Sequence, residues 1–133
     1  MIVADTSLIA SLLLSTAATK VAEAVLENDP EWVAPSLWRS EFRNVLATQI
    51  KLLGLPVDDA VALYEKAEEV VGEPAMEAET QEILRLAHGS KLSAYDAEYV
   101  ALARILKIPL VTFDKGILKA ASQDAISPKS FTC

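Results

Sequence analysis

Short apolar runs alternate with longer amphipathic segments along the whole chain, and this alternation restricts the fold more than any other feature. Ile2-Val3-Ala4, Trp32-Val33-Ala34 and Leu110-Val111-Thr112-Phe113 read as brief buried strands, with weaker candidates at Pro74–Met76 and Asp124–Ser127. Between them, helices are expected from Thr6 to about Leu14, Ala17 to Glu27, Ser36 to Leu53, Asp58 to Val71, Glu79 to His88, Ser93 to Lys107 and Lys115 to Ala121. Ser36 is placed to cap the third of these. Gly54 with Pro56, Gly72 with Pro74, and Gly89 stand where helices should stop. Strands that alternate with helices imply a mostly parallel sheet covered on both faces. Such sheets bind ligands outside the carboxyl ends of their strands.

A chain of 133 residues, 52% hydrophobic, is expected to form one domain spanning 1–133 with an ample core. It holds no internal repeat or linker. No uninterrupted apolar stretch of about 18 residues is present, so no transmembrane helix is expected. Met1-Ile2-Val3-Ala4-Asp5 lacks the basic n-region of a signal peptide. The expectation is a soluble cytoplasmic protein. Its single cysteine, Cys133, and single histidine, His88, exclude an internal disulfide, a cysteine-based zinc site and a multi-histidine metal site. Four unclustered glycines form no phosphate-binding loop.

The net charge of −7 argues at first against a polyanionic partner. Nine acids and one base lie between Asp58 and Glu82, however, so that segment carries −8 and the remainder +1. The segment reads as a solvated acidic face.

Four other carboxylates sit where the pattern calls for apolar or turning residues. Asp5 and Asp114 each follow a strand directly. Either one suits the N-cap of the next helix, and a cap can use one oxygen while a cation takes the other. Glu41 falls within the apolar arc of its helix, between Leu37 and Leu52, beside Val45, Trp38, Phe42, Leu53 and Leu46. A charge there needs a partner, either a basic side chain from another element or a functional ligand. Asp96 is flanked on its wheel by Ala103 and Val100, near Tyr99, but Ser93-Ala94-Tyr95-Asp96 also has capping-box spacing. Glu98 points elsewhere and is expected in solvent. His88 suits a helix C-terminus, and Trp32 and Trp38 suit a core. Thr6, Ser7 and Thr112 can orient carboxylates or water, and they suit turns equally.

Oxygen-only ligation fits a hard cation, Mg²⁺ or Mn²⁺. Such an ion can lower the pKa of water, orient a phosphodiester and stabilise its leaving oxygen. Without a cation, an acidic cage would repel a phosphate backbone. The leading expectation is therefore metal-dependent hydrolysis of a phosphoester.

Four segments in order carry a family likeness: Val3-Ala4-Asp5-Thr6-Ser7; Ala34-Pro35-Ser36-Leu37-Trp38-Arg39-Ser40-Glu41 leading into Asn44-Val45-Leu46; Tyr95-Asp96-Ala97-Glu98-Tyr99-Val100-Ala101-Leu102-Ala103; and Leu110-Val111-Thr112-Phe113-Asp114. In these the chain resembles the PIN-domain ribonucleases, specifically the VapC-type toxins of toxin–antitoxin pairs. The resemblance implies a three-layer α/β/α sandwich around a mostly parallel five-stranded sheet. It implies an Mg²⁺- or Mn²⁺-dependent RNA endonuclease whose acids are Asp5, Glu41, Asp96 and Asp114, with Thr6 and Thr112 as supporting hydroxyls. In that scheme Asp5, Asp96 and Asp114 hold the metal and Glu41 binds or orients the attacking water. Arg39, Arg43 and Lys115, close to the acids in sequence, are expected to contact RNA phosphates. The resemblance also implies a homodimer and a VapB-like antitoxin that wraps over the toxin. Many members carry another acid about three residues after the last one. Here that place is Ile117, which points to one tight metal site.

Two alternatives belong to other classes. The acids can be caps and salt-bridge partners in a non-catalytic protein-binding module. A phosphoacceptor receiver domain is similar in size and acidity, but it needs adjacent acids after its first strand, and Asp5 stands alone there.

Overall fold

A computed structural model describes residues 1–133. The elements run β1 (Ile2–Ala4), α1 (Thr6–Leu13), α2 (Thr19–Asn28), β2 (Trp32–Val33), α3 (Trp38–Leu53), α4 (Val57–Val70) and β3 (Val71–Gly72). They continue with α5 (Thr80–His88), α6 (Ala94–Leu106), β4 (Leu110–Val111), α7 (Lys115–Ala120), β5 (Ala125–Ile126) and α8 (Pro128–Thr132). The five strands are all parallel, in the order β3-β2-β1-β4-β5. Val3 aligns with Val33 on one side and Leu110 on the other.

The chain thus builds outward from β1 to β3, then returns to pair β4 with the free side of β1. Right-handed crossovers must change face at such a reversal. Helices α1 to α4 accordingly pack among themselves, while α5 packs on α6, and α6 lies against β1 and β4. The result is the expected α/β/α sandwich. The crevice between β1 and β4 is the topological switch point, where sheets of this kind bind ligands.

The central strands are wholly buried at Ile2, Val3, Ala4, Leu110 and Val111, which explains their unbroken apolar character. Trp32 and Trp38, each about 1% exposed, belong to the core as expected. In α6 the small residues Ala97, Ala101 and Ala103 are buried beside Tyr99, Val100 and Leu102. Their size lets the helix lie close to the sheet and carry its N-terminus to the carboxyl edge.

Several expectations need correcting. The third strand is Val71–Gly72 rather than Pro74–Met76, because Val71 pairs with Trp32 directly at the end of α4. Ser36 does not cap α3. Leu37 occupies that position without a side-chain bond, and the turn closes through backbone bonds from Trp38 to Pro35 and from Arg39 to Ser36. Leu52 and Leu53, assigned to the buried arc, are 75% exposed. The helix outruns the sheet before Gly54 ends it at φ +69°, a conformation natural to glycine. Glu98 is only partly exposed, not in open solvent. The closing helix α8, capped by Ser127 with Pro128 in its first turn, has no counterpart among the expected elements; five residues are too few to show a periodicity.

Candidate active site

Two turns meet at the switch point. After β1, Asp5 caps α1, and its Oδ1 accepts from the Leu8 N–H at 3.1 Å. After β4, Asp114 caps α7 in the same way, its Oδ1 accepting from the Ile117 N–H at 3.0 Å. Two hydroxyls tie these turns together. Thr112 Oγ1 donates to Asp5 Oδ2 at 2.6 Å and accepts from the Asp114 N–H at 2.9 Å. Ser7 Oγ donates to Asp5 Oδ1 at 2.7 Å and accepts from the Phe113 N–H at 3.0 Å. Asp5 is therefore clamped on both oxygens.

Burial pushes the Asp5 carboxyl up to about 6, against the opposing pull of its bonds to Thr112, Ser7 and Leu8; the charge of Asp114 raises it further. Low polarity disfavours the charged form, and three hydrogen bonds only partly compensate.

Glu41 enters from the first turn of α3. Its Oε1 accepts from Tyr99 Oη at 2.7 Å and from Thr6 Oγ1 at 3.0 Å, and the two hydroxyls lie 3.0 Å apart. Glu41 is partly buried and forms no ion pair, so the salt-bridge explanation of its place in the apolar arc fails. Burial raises the Tyr99 hydroxyl strongly, and so does its bond to Glu41. It stays protonated and donates.

Asp96 sits in the first turn of α6, where Ser93 Oγ accepts its N–H at 3.1 Å. Burial raises its carboxyl, as do the charges of Asp114 and Glu41, while Ser93 opposes. Glu98 is raised by burial, by Glu77 and by Glu41. The four expected acids are thus electrostatic neighbours contributed by four elements. Every ion pair in the molecule lies elsewhere: the N-terminus with Asp29, Arg39 with Glu68 and Glu73, Arg104 with Asp124.

Carboxyls raised by burial and by neighbouring acids, as Asp5 and Asp96 are, without a cationic partner, are the donor chemistry a hard divalent ion satisfies. The residues fit in kind. In geometry they are not a finished cage, since no three acidic, histidine or cysteine side chains converge closely enough to hold an ion as they stand.

Of the expected supporting hydroxyls, Thr6 donates to Glu41 and Thr112 to Asp5. Tyr99 was missed as a partner of Glu41, although its position three residues after Asp96 puts both on one helix face. Of the expected phosphate contacts, Arg39 reaches Glu68 and Glu73 and covers the Trp38 ring. Arg43 lies over Tyr64 and donates to its hydroxyl. Both are engaged on or beside α4. Lys115, next to Asp114, forms no ion pair.

A parallel α/β sandwich with unpaired acids at its switch point defines a class of candidate hydrolases. Comparison with known proteins makes the class specific: the PIN domain family model matches residues 2–123, and the chain belongs to that family. PIN domains are typically nucleases, often toxins of toxin–antitoxin pairs, and generally use divalent metals. Among solved structures, PAE2754 from Pyrobaculum aerophilum is 23% identical with a TM-score of 0.76, covering 98% of this chain and 92% of that one. FitAcB from Neisseria gonorrhoeae is 20% identical with a TM-score of 0.69, covering 97% and 99%. At these identities the likeness is one of fold. No curated protein sequence matches the chain significantly.

Proposed function

We propose that this protein is an Mg²⁺- or Mn²⁺-dependent RNA endonuclease and the toxin of a type II toxin–antitoxin pair. The observation that supports the reading is the charge influence of Asp114 on Asp5 and of Asp114 and Glu41 on Asp96, with none of the four acids in an ion pair. Asp5, Asp96 and Asp114 would hold the cation. When bound, it supplies positive charge and Lewis acidity to a site that otherwise repels a phosphodiester.

The remaining chemistry belongs to the chain. Tyr99 and Thr6 fix Oε1 of Glu41, and no hydrogen bond holds Oε2. That oxygen is left to orient the attacking water toward phosphorus and to accept its proton. Thr112 and Ser7 hold the orientation of the Asp5 carboxylate. The lone acid set, with Ile117 in place of a further carboxylate, favours a single metal.

On this reading the partners are an RNA substrate, a VapB-like antitoxin and a second copy of the chain, all met in the cytoplasm. No helix is long and apolar enough to cross a membrane. Exposed apolar residues at the α3–α4 turn, Leu52, Leu53, Val57 and Val61, support a protein partner.

A non-catalytic binding module is the second reading. It is favoured by the cap bonds that already occupy Asp5 and Asp114 and by the open acid geometry. Calorimetry with Mn²⁺, paired with RNA cleavage assays of the wild type and of Asp5→Asn and Asp96→Asn, separates them. Metal binding and cleavage that both variants lose supports the nuclease. Absence of binding at millimolar Mn²⁺ supports the module.

A further inference from the structure

A polyanion can approach these acids only along a surface that offers positive charge, and the molecule has few free cations near them. One cavity has one of these acids, Asp96, in its wall: a cleft of about 380 Å³ between the α5–α6 loop and α7. Lys91 projects from the loop side and Lys119 from α7, and both line it. Neither lysine is within ion-pair distance of a carboxylate. Arg39 and Arg104, by contrast, are held in ion pairs.

The rest of the lining is unusually bare. Gly89 and Gly116 both face the cleft. A Cβ at Gly116 would sit 3.1 Å from Asp114 Oδ1, so a larger residue there would crowd that carboxylate. Lys115 lies one turn before Lys119 and shares its side of α7. Moving from Asp114 along α7, the surface presents an acid, a lysine, a bare glycine and a second lysine.

We propose that this cleft is the track for the RNA backbone, with Lys91 and Lys119 binding phosphates that flank the scissile one. The proposal rests on the nuclease reading and assigns its substrate path. Backbone contacts of this kind position a strand without reading its sequence. The two lysines add positive charge beside the acids, while the −7 net charge keeps unproductive binding elsewhere weak.

The test uses the full chain with Lys91→Gln and Lys119→Gln combined, and Lys51→Gln with Lys66→Gln as a matched control outside the cleft. All four lysines are exposed, so both variants should fold; thermal melts check this. Binding of a fluorescein-labelled mixed-sequence single-stranded RNA is followed by anisotropy across a salt series, and cleavage is measured with Mn²⁺. The cleft variant should lose about 1.4 from the slope of log affinity against log salt, roughly 0.7 per phosphate contact on a single strand. Its KM should rise about tenfold with kcat little changed, because the contacts act on bound strand and not on the reacting atoms. The control should match wild type. Unchanged slope and KM in a wild-type protein that cleaves would overturn the track and leave the nuclease reading standing. A fall in kcat at constant KM, or an equal loss in the control, also overturns it. A wild type that neither cleaves nor binds RNA overturns both.

Discussion

Asp5→Asn tests the energetic basis of the site without altering its shape. The asparagine can keep the acceptor role toward Leu8 and Ser7 and can donate to Thr112, whose hydroxyl can turn toward Ser7 Oγ at 3.4 Å. What it removes is a buried charge. A carboxyl that titrates near 6 when folded, against 3.8 in the open chain, makes ionised Asp5 cost roughly 3 kcal/mol. The folded protein binds the extra proton between those two values, so wild-type stability falls as pH rises through about 4 to 6 and is not recovered above. The variant should show no such fall from this position. In chelator at about pH 8 it should exceed wild type by ~1–3 kcal/mol, the lower figure if the new amide bonds are imperfect. With an unfolding entropy of about 2 cal/mol/K per residue, that is a rise in Tm of roughly 4–10 °C. At about pH 4 the two proteins should melt together. Saturating Mn²⁺ should cancel or reverse this lead, adding about 2.7 kcal/mol to wild type at a hundredfold excess over Kd and nothing to the variant. Melts followed by circular dichroism at both pH values, with and without Mn²⁺, read all four conditions. A variant no more stable than wild type in chelator at the higher pH, or stabilised equally by Mn²⁺, refutes the reasoning.

Other positions separate roles that overlap at one residue. Asp114→Asn should keep the α7 cap and the melting temperature but lose Mn²⁺ binding by calorimetry, whereas Asp114→Ala should lose both, at about 1 kcal/mol for the cap. Tyr99→Phe retains the buried ring and removes one of two bonds to Glu41. It should cost about 1 kcal/mol of stability and several-fold in single-turnover cleavage, with Mn²⁺ affinity unchanged; equal loss of metal affinity would place Glu41 among the ligands instead. Leu53→Lys, at an exposed position, should change stability by less than about 0.5 kcal/mol. A shift from dimer to monomer by sedimentation would mark the α3–α4 turn as the contact between copies.

Much of this molecule is written locally. Each short apolar run and each helix stop reports on its own neighbourhood, so the alternation of elements, the caps at Asp5 and Asp114, and the parallel α/β class were legible in the chain. Glu41 was conspicuous for the same reason, since a charge inside an apolar arc violates a local pattern. The misread elements mark where local signals end. Val71–Gly72 became a strand because Trp32 and Val33 offered it an edge. Leu52 and Leu53 were exposed because α3 extends beyond the layer it packs on. Only the tertiary structure decided strand order, and with it the switch point that brings residues 5 and 114 side by side. It also decided the partners of the acids. Tyr99, 58 positions from Glu41, holds its oxygen, and Thr112, 107 positions from Asp5, clamps that carboxylate. Periodicity and capping are properties of a few neighbouring residues, whereas hydrogen bonds across a sheet edge depend on which distant segments the packing places together.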